Sequence, residues 1–190
     1  MSDALPHFLL SSHFLRLAEN ASARLVGTHN SLWVVSGKDI SPEEYFRKTK
    51  WSDHSVGVAI LFNFYHGIEL VLKAALVQRG EKKLVHTLTA LLDRFEQHYP
   101  DSDLIKSLSP HVRTVDPGSP VGRFLASNNV PIDTWYQAFK YPSLKSGKQL
   151  THWTLQYGGG GTVAYWRGIK SSASKIRKQA VALWRAETDA

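Results

Sequence analysis

The chain has no cysteine and a single methionine. Without thiols there is no disulfide framework, no thiolate metal site and no cysteine nucleophile, a composition that fits a reducing compartment. Long hydrophobic runs are missing too. The longest, Val56 to Phe62, falls far short of the ~20 residues that a bilayer demands, and Asn63, His66, Glu69 and Lys73 break the apolar stretch beyond it. The opening MSDALPHFLL lacks a basic segment and is broken by Pro6 and His7, unlike a secretory leader. These features lead us to expect a cytoplasmic protein that does not engage a membrane. Signatures of bound groups are also scarce. The nine histidines show no His-Glu-x-x-His or other paired-ligand spacing, and no serine sits between glycines at a strand-to-helix elbow. Gly158 to Gly161 precedes a helix but lacks the Lys-Ser/Thr of a phosphate loop and the spacing of a dinucleotide fingerprint, so it reads as a flexible turn. The expectation is no metal and no cofactor.

What is present is an ordinary globular balance. An apolar share of 43% against 21% charged residues allows a well-buried core, and 190 residues suffice for one core but are short for two. Basic residues outnumber acidic ones by 23 to 16, giving +7, a modest electrostatic footprint for polyanions such as RNA.

Periodicity predicts an all-α chain. Leu5 to Val26 is amphipathic, with Phe14, Leu17, Ala18, Ala21 and Leu25 at three- and four-residue spacing. Leu32 to Val35 reads as a short strand or buried loop, and Ser41-Pro42-Glu43-Glu44 as a helix start. Ser52 to Arg79 is apolar almost all round and is expected to form the central helix, closed by Gly80. Further helices are predicted over Thr87 to His98, over Ser102 to Leu108 with Pro110 marking the end, and over Thr162 to Glu187. Between them, 110–161 forms an ordered irregular excursion anchored by Trp135, Tyr136, Phe139, Tyr141 and Trp153. We expect one domain over 1–190, with 1–50 as an N-terminal helix and loop extension and 51–187 as the helical core.

In the central helix the polar groups are not scattered. His66, Glu69 and Lys73 stand three and four residues apart and share one stripe, with Glu69 one turn before Lys73 as an ion pair prefers. A solvated face would explain this. So would a groove or dimer seam in which an acid, a base and an imidazole meet a partner.

The run Tyr65-His66-Gly67-Ile68-Glu69-Leu70-Val71-Leu72-Lys73-Ala74-Ala75-Leu76, then Gly80, then His86-Thr87-Leu88-Thr89-Ala90-Leu91-Leu92, resembles the core helix pair of HEPN domains. Phe139-Lys140-Tyr141-Pro142 is similar to the aromatic turn that precedes the last helix in many of them, with Lys in place of Arg. The resemblance implies a helical bundle of HEPN type, frequent homodimers and roles in nucleotide or RNA transactions. Many such domains are ribonucleases or toxins that meet an antitoxin or nucleotidyltransferase partner, and others have lost catalysis. Catalytic members carry an Arg followed, after four to six residues, by a His. The imidazole moves the proton of the 2′-hydroxyl while the guanidinium steadies the phosphate, without a metal.

Three pairs here have that spacing: Arg24 with His29, Arg47 with His54, and Arg79 with His86. All lie before residue 87, whereas the family places its motif late in the domain. Arg79 and His86 are the candidate catalytic pair because they fall inside the matching stretch. The candidate nucleotide or RNA contacts are His66, Glu69, Lys73, Lys140 and Tyr141. Arg167, Lys178 and Arg185 join them from one side of the last helix, opposite a Trp166, Ile169, Ala173, Ile176, Ala180 and Leu183 seam. Trp153 and Tyr157 are candidates for base stacking. The functional expectation is a HEPN-like protein that binds RNA or a nucleotide-bearing partner, in a toxin or defence setting. The alternatives are a metal-independent endoribonuclease and a non-catalytic homodimeric interaction module.

Overall fold

The structure, a computed structural model, describes residues 4–31, 37–134, 143–144, 146–156 and 160–188. Helix α3 (Asp53–Gln78) forms the axis of the fold. It starts after Ser52, ends where Gly80 takes a φ of +85°, and buries most of its length from Ile60 to Leu76. By length and composition, the stretch Pro42–Gln78 could cross a membrane; within this fold 61% of its most apolar window is buried by other helices.

Helices α1 (Ala4–Gly27) and α8 (Val163–Thr188) lie against α3 and against each other. On α1 the buried line is Ser11, Leu15, Ala18, Ser22 and Leu25, and Leu17 is exposed. The seam on this helix therefore alternates Leu15 and Leu25 with the small residues Ser11, Ala18 and Ser22. Leu15 packs over Gly67 of α3: a Cβ added there would sit 2.7 Å from Leu15 Cγ, so the close approach requires glycine. On α8 the buried residues Trp166, Ile169, Ala173, Ile176 and Ala180 follow the predicted seam.

The remaining elements cap this core. Helix α2 (Pro42–Thr49) begins as its sequence dictates: Ser41 Oγ accepts from the Glu44 amide at 3.2 Å. Helix α4 (Leu88–His98) comes next, its Thr89 amide donating to Asp133 at 3.1 Å. Helix α5 (Asp103–Val112) departs from expectation by running past Pro110. The ring removes one donor, yet the Arg113 amide still reaches Ser109 O at 2.8 Å, so the final turn closes around it.

The excursion is more helical than its composition suggests. Helix α6 (Pro120–Asn128) starts with Ser119 as N-cap and ends at Asn129 in the left-handed region (φ 46°). Helix α7 (Trp153–Gln156) and a 3-10 turn (Gly160–Thr162) lead into α8. Among the described residues the only strand-like pairing is an isolated antiparallel bridge between Ser143 and Gln149. Trp153 does not anchor this region: it is 55% exposed, and Val121, Phe124, Leu150 and Leu155 are buried in its stead. The segment Leu32–Val35 and the expected anchors Trp135, Tyr136, Phe139 and Tyr141 lie outside the described residues.

One polar knot ties three distant segments. Asn30 Nδ2 donates to Asp53 Oδ2 and to Thr162 Oγ1, each at 2.8 Å, and the Asp53 amide donates to Asn30 Oδ1 at 2.7 Å. All three side chains are buried, so the loop after α1, the start of α3 and the turn before α8 are pinned at one point.

Candidate functional site

The polar stripe of α3 is not a solvated face. Glu69 is 1% exposed and Lys73 7%. Lys73 Nζ donates to Glu69 Oε1 at 2.6 Å, the one-turn pairing that their spacing predicts. His66, a turn earlier, brings Nδ1 to 3.3 Å from Glu69 Oε2. Its ring is held by aromatic neighbours: it stacks on Phe62 with centroids 5.5 Å apart and meets Phe14 of α1 edge-on at 4.6 Å.

The fourth member comes from the loop between α3 and α4. His86 Nδ1 lies 2.9 Å from Glu69 Oε1 and 3.2 Å from Lys73 Nζ. That loop is strapped to α4. Glu81 pairs with Arg94 and, at 2.9 Å, with His98 Nε2, while Arg94 donates to Lys83 O at 3.0 Å. One buried carboxylate thus holds an ammonium and two imidazoles. The arrangement is consistent with an ionised Glu69, because a carboxylate out of water needs several donors.

The closer contact assigns the proton of neutral His86 to Nδ1. A bare Nδ1 would set its lone pair against the carboxylate oxygen 2.9 Å away, nearer than the Lys73 ammonium at 3.2 Å, which donates to Glu69 instead. Nε2 is then a proton acceptor on a side chain that is 79% exposed. A histidine oriented through one nitrogen by a buried acid, with the other nitrogen open, is competent for general acid–base chemistry.

Arg79 does not join this cluster. Its Nη2 donates to Glu187 of α8 at 2.7 Å, and its guanidinium lies 4.7 Å from the Tyr99 ring centroid. Arg79 comes six residues after Lys73, about 120° round the helix axis at ~100° per residue. The structure therefore gives the members of the candidate catalytic pair separate partners. Spacing along the chain brought Arg79 and His86 together as candidates, whereas the fold turns His86 back toward Glu69.

The basic residues of α8 stand as a strip. Arg167, Lys178 and Arg185 are exposed, and Lys170 and Lys175 are exposed beside them. None makes a side-chain hydrogen bond or ion pair with a described residue. Arg177, nearer the seam, is by contrast paired with Glu19 of α1 at 3.2 Å. The hundred-degree wheel that grouped the first three also places Lys170 and Lys175 on their flanks, so that signal was available in the sequence. Lys140, Tyr141 and Tyr157 lie outside the described residues, and Trp153 is open to solvent. No family model, no curated protein and no solved structure matches this chain.

Proposed function

We propose that the protein is a HEPN-like helical bundle that binds RNA, or a partner bearing a nucleotide, along the outer face of α8. The observation that carries this reading is the strip of unpaired cations from Arg167 to Arg185. It extends for about 27 Å at ~1.5 Å per residue. Cations without acidic partners among the described residues, on a chain of net charge +7, favour a phosphate backbone, which releases counterions when bound. The test is the affinity for a single-stranded RNA oligonucleotide across a salt series. The triple variant Arg167→Glu, Lys178→Glu, Arg185→Glu is expected to flatten the logarithmic salt slope by about two units, at ~0.7 for each phosphate that is no longer neutralised. Unchanged affinity and slope in a folded variant would remove α8 from the interface.

A second reading is favoured by one observation, the oriented and open imidazole of His86. In it the protein is a metal-independent endoribonuclease. Nε2 of His86 takes the 2′-hydroxyl proton as the 2′-oxygen bonds to phosphorus, and Glu69 holds the imidazolium that forms. Arg79 leaves Glu187 to meet the phosphate, and the P–O5′ bond breaks with the 5′-oxygen taking a proton from water. RNA cleavage in the presence of a chelator, abolished by His86→Ala, is the expected result; equal cleavage by that variant would sink the reading. The proposal includes a homodimer, with an antitoxin or nucleotidyltransferase as the class of protein partner. A monomer mass by light scattering at micromolar concentration would count against the dimer.

A further inference from the structure

A cleft lies on the molecule away from the Glu69 cluster, between the α5–α6 connection and the start of α8. It has two adjoining parts that share Asp116, Ser119 and Tyr165. The outer hollow, of about 380 Å³, is bordered by Arg123 of α6 and by Gly161 and Thr162 of the 3-10 turn. The inner hollow, of about 190 Å³, is walled by Val115 and Val121 and reaches Tyr65 of α3 and His111 of α5.

Three side chains of this cleft, those of His111, Tyr165 and Arg123, make no hydrogen bond or ion pair with the described residues. His111 packs edge-on against Phe64, with centroids 4.8 Å apart, and makes no hydrogen bond with them. Burial pushes its pKa down to about 4, so at neutral pH the ring is uncharged and offers one donor and one acceptor. The Tyr165 hydroxyl has no hydrogen-bond partner among them either, and burial raises its pKa well above the usual phenol value, so it stays protonated. At the mouth, the exposed Arg123 guanidinium is unpaired with any described residue. Asp116, which borders the same hollow, turns Oδ1 to the Gly118 amide at 2.8 Å. His111 and Tyr165 are half-buried, and polar side chains without a described partner leave their donors and acceptors to a ligand or to water. Here they line a slot with apolar walls, which is how small-molecule sites are built.

We propose that this cleft binds a small planar anion, with a flat, hydrogen-bonding ring in the inner hollow and its phosphate or carboxylate at Arg123. Val115, Val121 and the Tyr165 ring supply the apolar faces. His111 and the Tyr165 hydroxyl meet the polar edge of the ring, and the guanidinium fork takes the anionic oxygens. Both a nucleoside monophosphate and a phenolic carboxylate carry this chemistry. The site does not depend on the α8 strip or on His86.

The test is isothermal titration of the full chain with phenyl phosphate, 4-hydroxybenzoate, a nucleoside monophosphate and inorganic phosphate. At least one ring-bearing anion is expected to bind about tenfold or more tightly than inorganic phosphate. Preference for the nucleoside monophosphate or for 4-hydroxybenzoate identifies the source. Arg123→Glu replaces an exposed side chain and is expected to weaken binding about tenfold or more. His111→Phe keeps the ring contact with Phe64, removes the donor and acceptor, and is expected to weaken the ring-bearing ligand while leaving inorganic phosphate unchanged. The triple α8 variant should bind these probes as wild type does, which separates this site from RNA binding. The proposal is overturned by no binding of any probe at millimolar concentration, by inorganic phosphate binding as tightly as the ring-bearing anions, or by affinities that neither variant changes.

Discussion

Removing the Glu69 carboxylate would strand an ammonium that is almost out of water. Lys73 reaches Glu69 at 2.6 Å from a side chain only 9% exposed, so its charge has little solvent to fall back on. We predict that Glu69→Ala lowers stability by about 3–5 kcal/mol in urea denaturation, the usual cost of breaking a buried pair from one side. The double variant Glu69→Leu, Lys73→Leu should recover most of that loss, because the pair itself offsets its own desolvation. A double variant as unstable as the single one would mean that the histidines, not the ion pair, hold this site. His111 acts through its own environment. Its folded pKa of about 4 lies below the ordinary 6.5, so the unfolded chain takes up the proton first as pH falls. Its contribution is fully present above pH 6.5 and drains away between 6.5 and about 4, with a slope of at most ~1.4 kcal/mol per pH unit. Chemical denaturation at neutral pH and at successive steps down through that window should show His111→Phe flattening the curve; an identical slope would remove His111 as the source.

At the scale of the elements, Gly67 sets how closely α1 and α3 approach. A methyl there would meet Leu15 side-chain carbons at 2.7 and 2.9 Å, well inside ordinary contact. Gly67→Ala should therefore cost about 1–3 kcal/mol by overpacking, despite the better helix propensity of alanine. A stabilised variant in thermal denaturation would show that α1 yields without strain. The sequence announced most elements because their boundaries are local chemistry. Ser41-Pro42, Ser52 and Thr87 stand where helices begin, and Gly80 where one ends. Helix α6 carried the same Ser-Pro start at Ser119-Pro120, with Val121 and Phe124 on one face, and was hidden only by the glycines and prolines around it. Proline inside α5 was harder to foresee, since whether the next turn closes depends on Arg113 reaching Ser109. The buried line of α1 was legible only in part: Ala18 and Leu25 fall on the expected stripe, whereas Leu15 is buried and Leu17 exposed. Which of Leu15 and Leu17 turns inward is decided by Gly67 on another helix.

Over the whole molecule, the surplus of +7 includes five exposed cations on α8. Adding Lys170→Glu and Lys175→Glu to the triple α8 variant should flatten the RNA salt slope further, by at most ~0.7 for each phosphate these residues neutralise. No further change would confine the RNA to the original three cations. The α8 strip was legible because helical periodicity alone groups its residues. Most of the Glu69 cluster was legible for the same reason, with His66, Glu69 and Lys73 on one stripe. The arrival of His86 was not, because a loop strapped down by Glu81 and Arg94 delivers it. The cleft at Arg123 gave no linear signal, since Tyr65, His111 and Tyr165 meet only after α3, α5 and α8 are packed.

The knot of Asn30, Asp53 and Thr162 also bears on how the chain is made. Asn30 and Thr162 are separated by 132 positions, and the contact between α1 and α8 spans still more of the sequence. During synthesis, α1 and α3 leave the ribosome long before the helix that completes their seam. Leu15, Ile60 and Phe64 can collapse early, but Asp53 must wait for the Thr162 hydroxyl and α3 for Trp166. Completion of the fold is therefore a late, long-range event. Until translation reaches α8, the nascent chain carries an unclosed apolar face of the kind that chaperones hold.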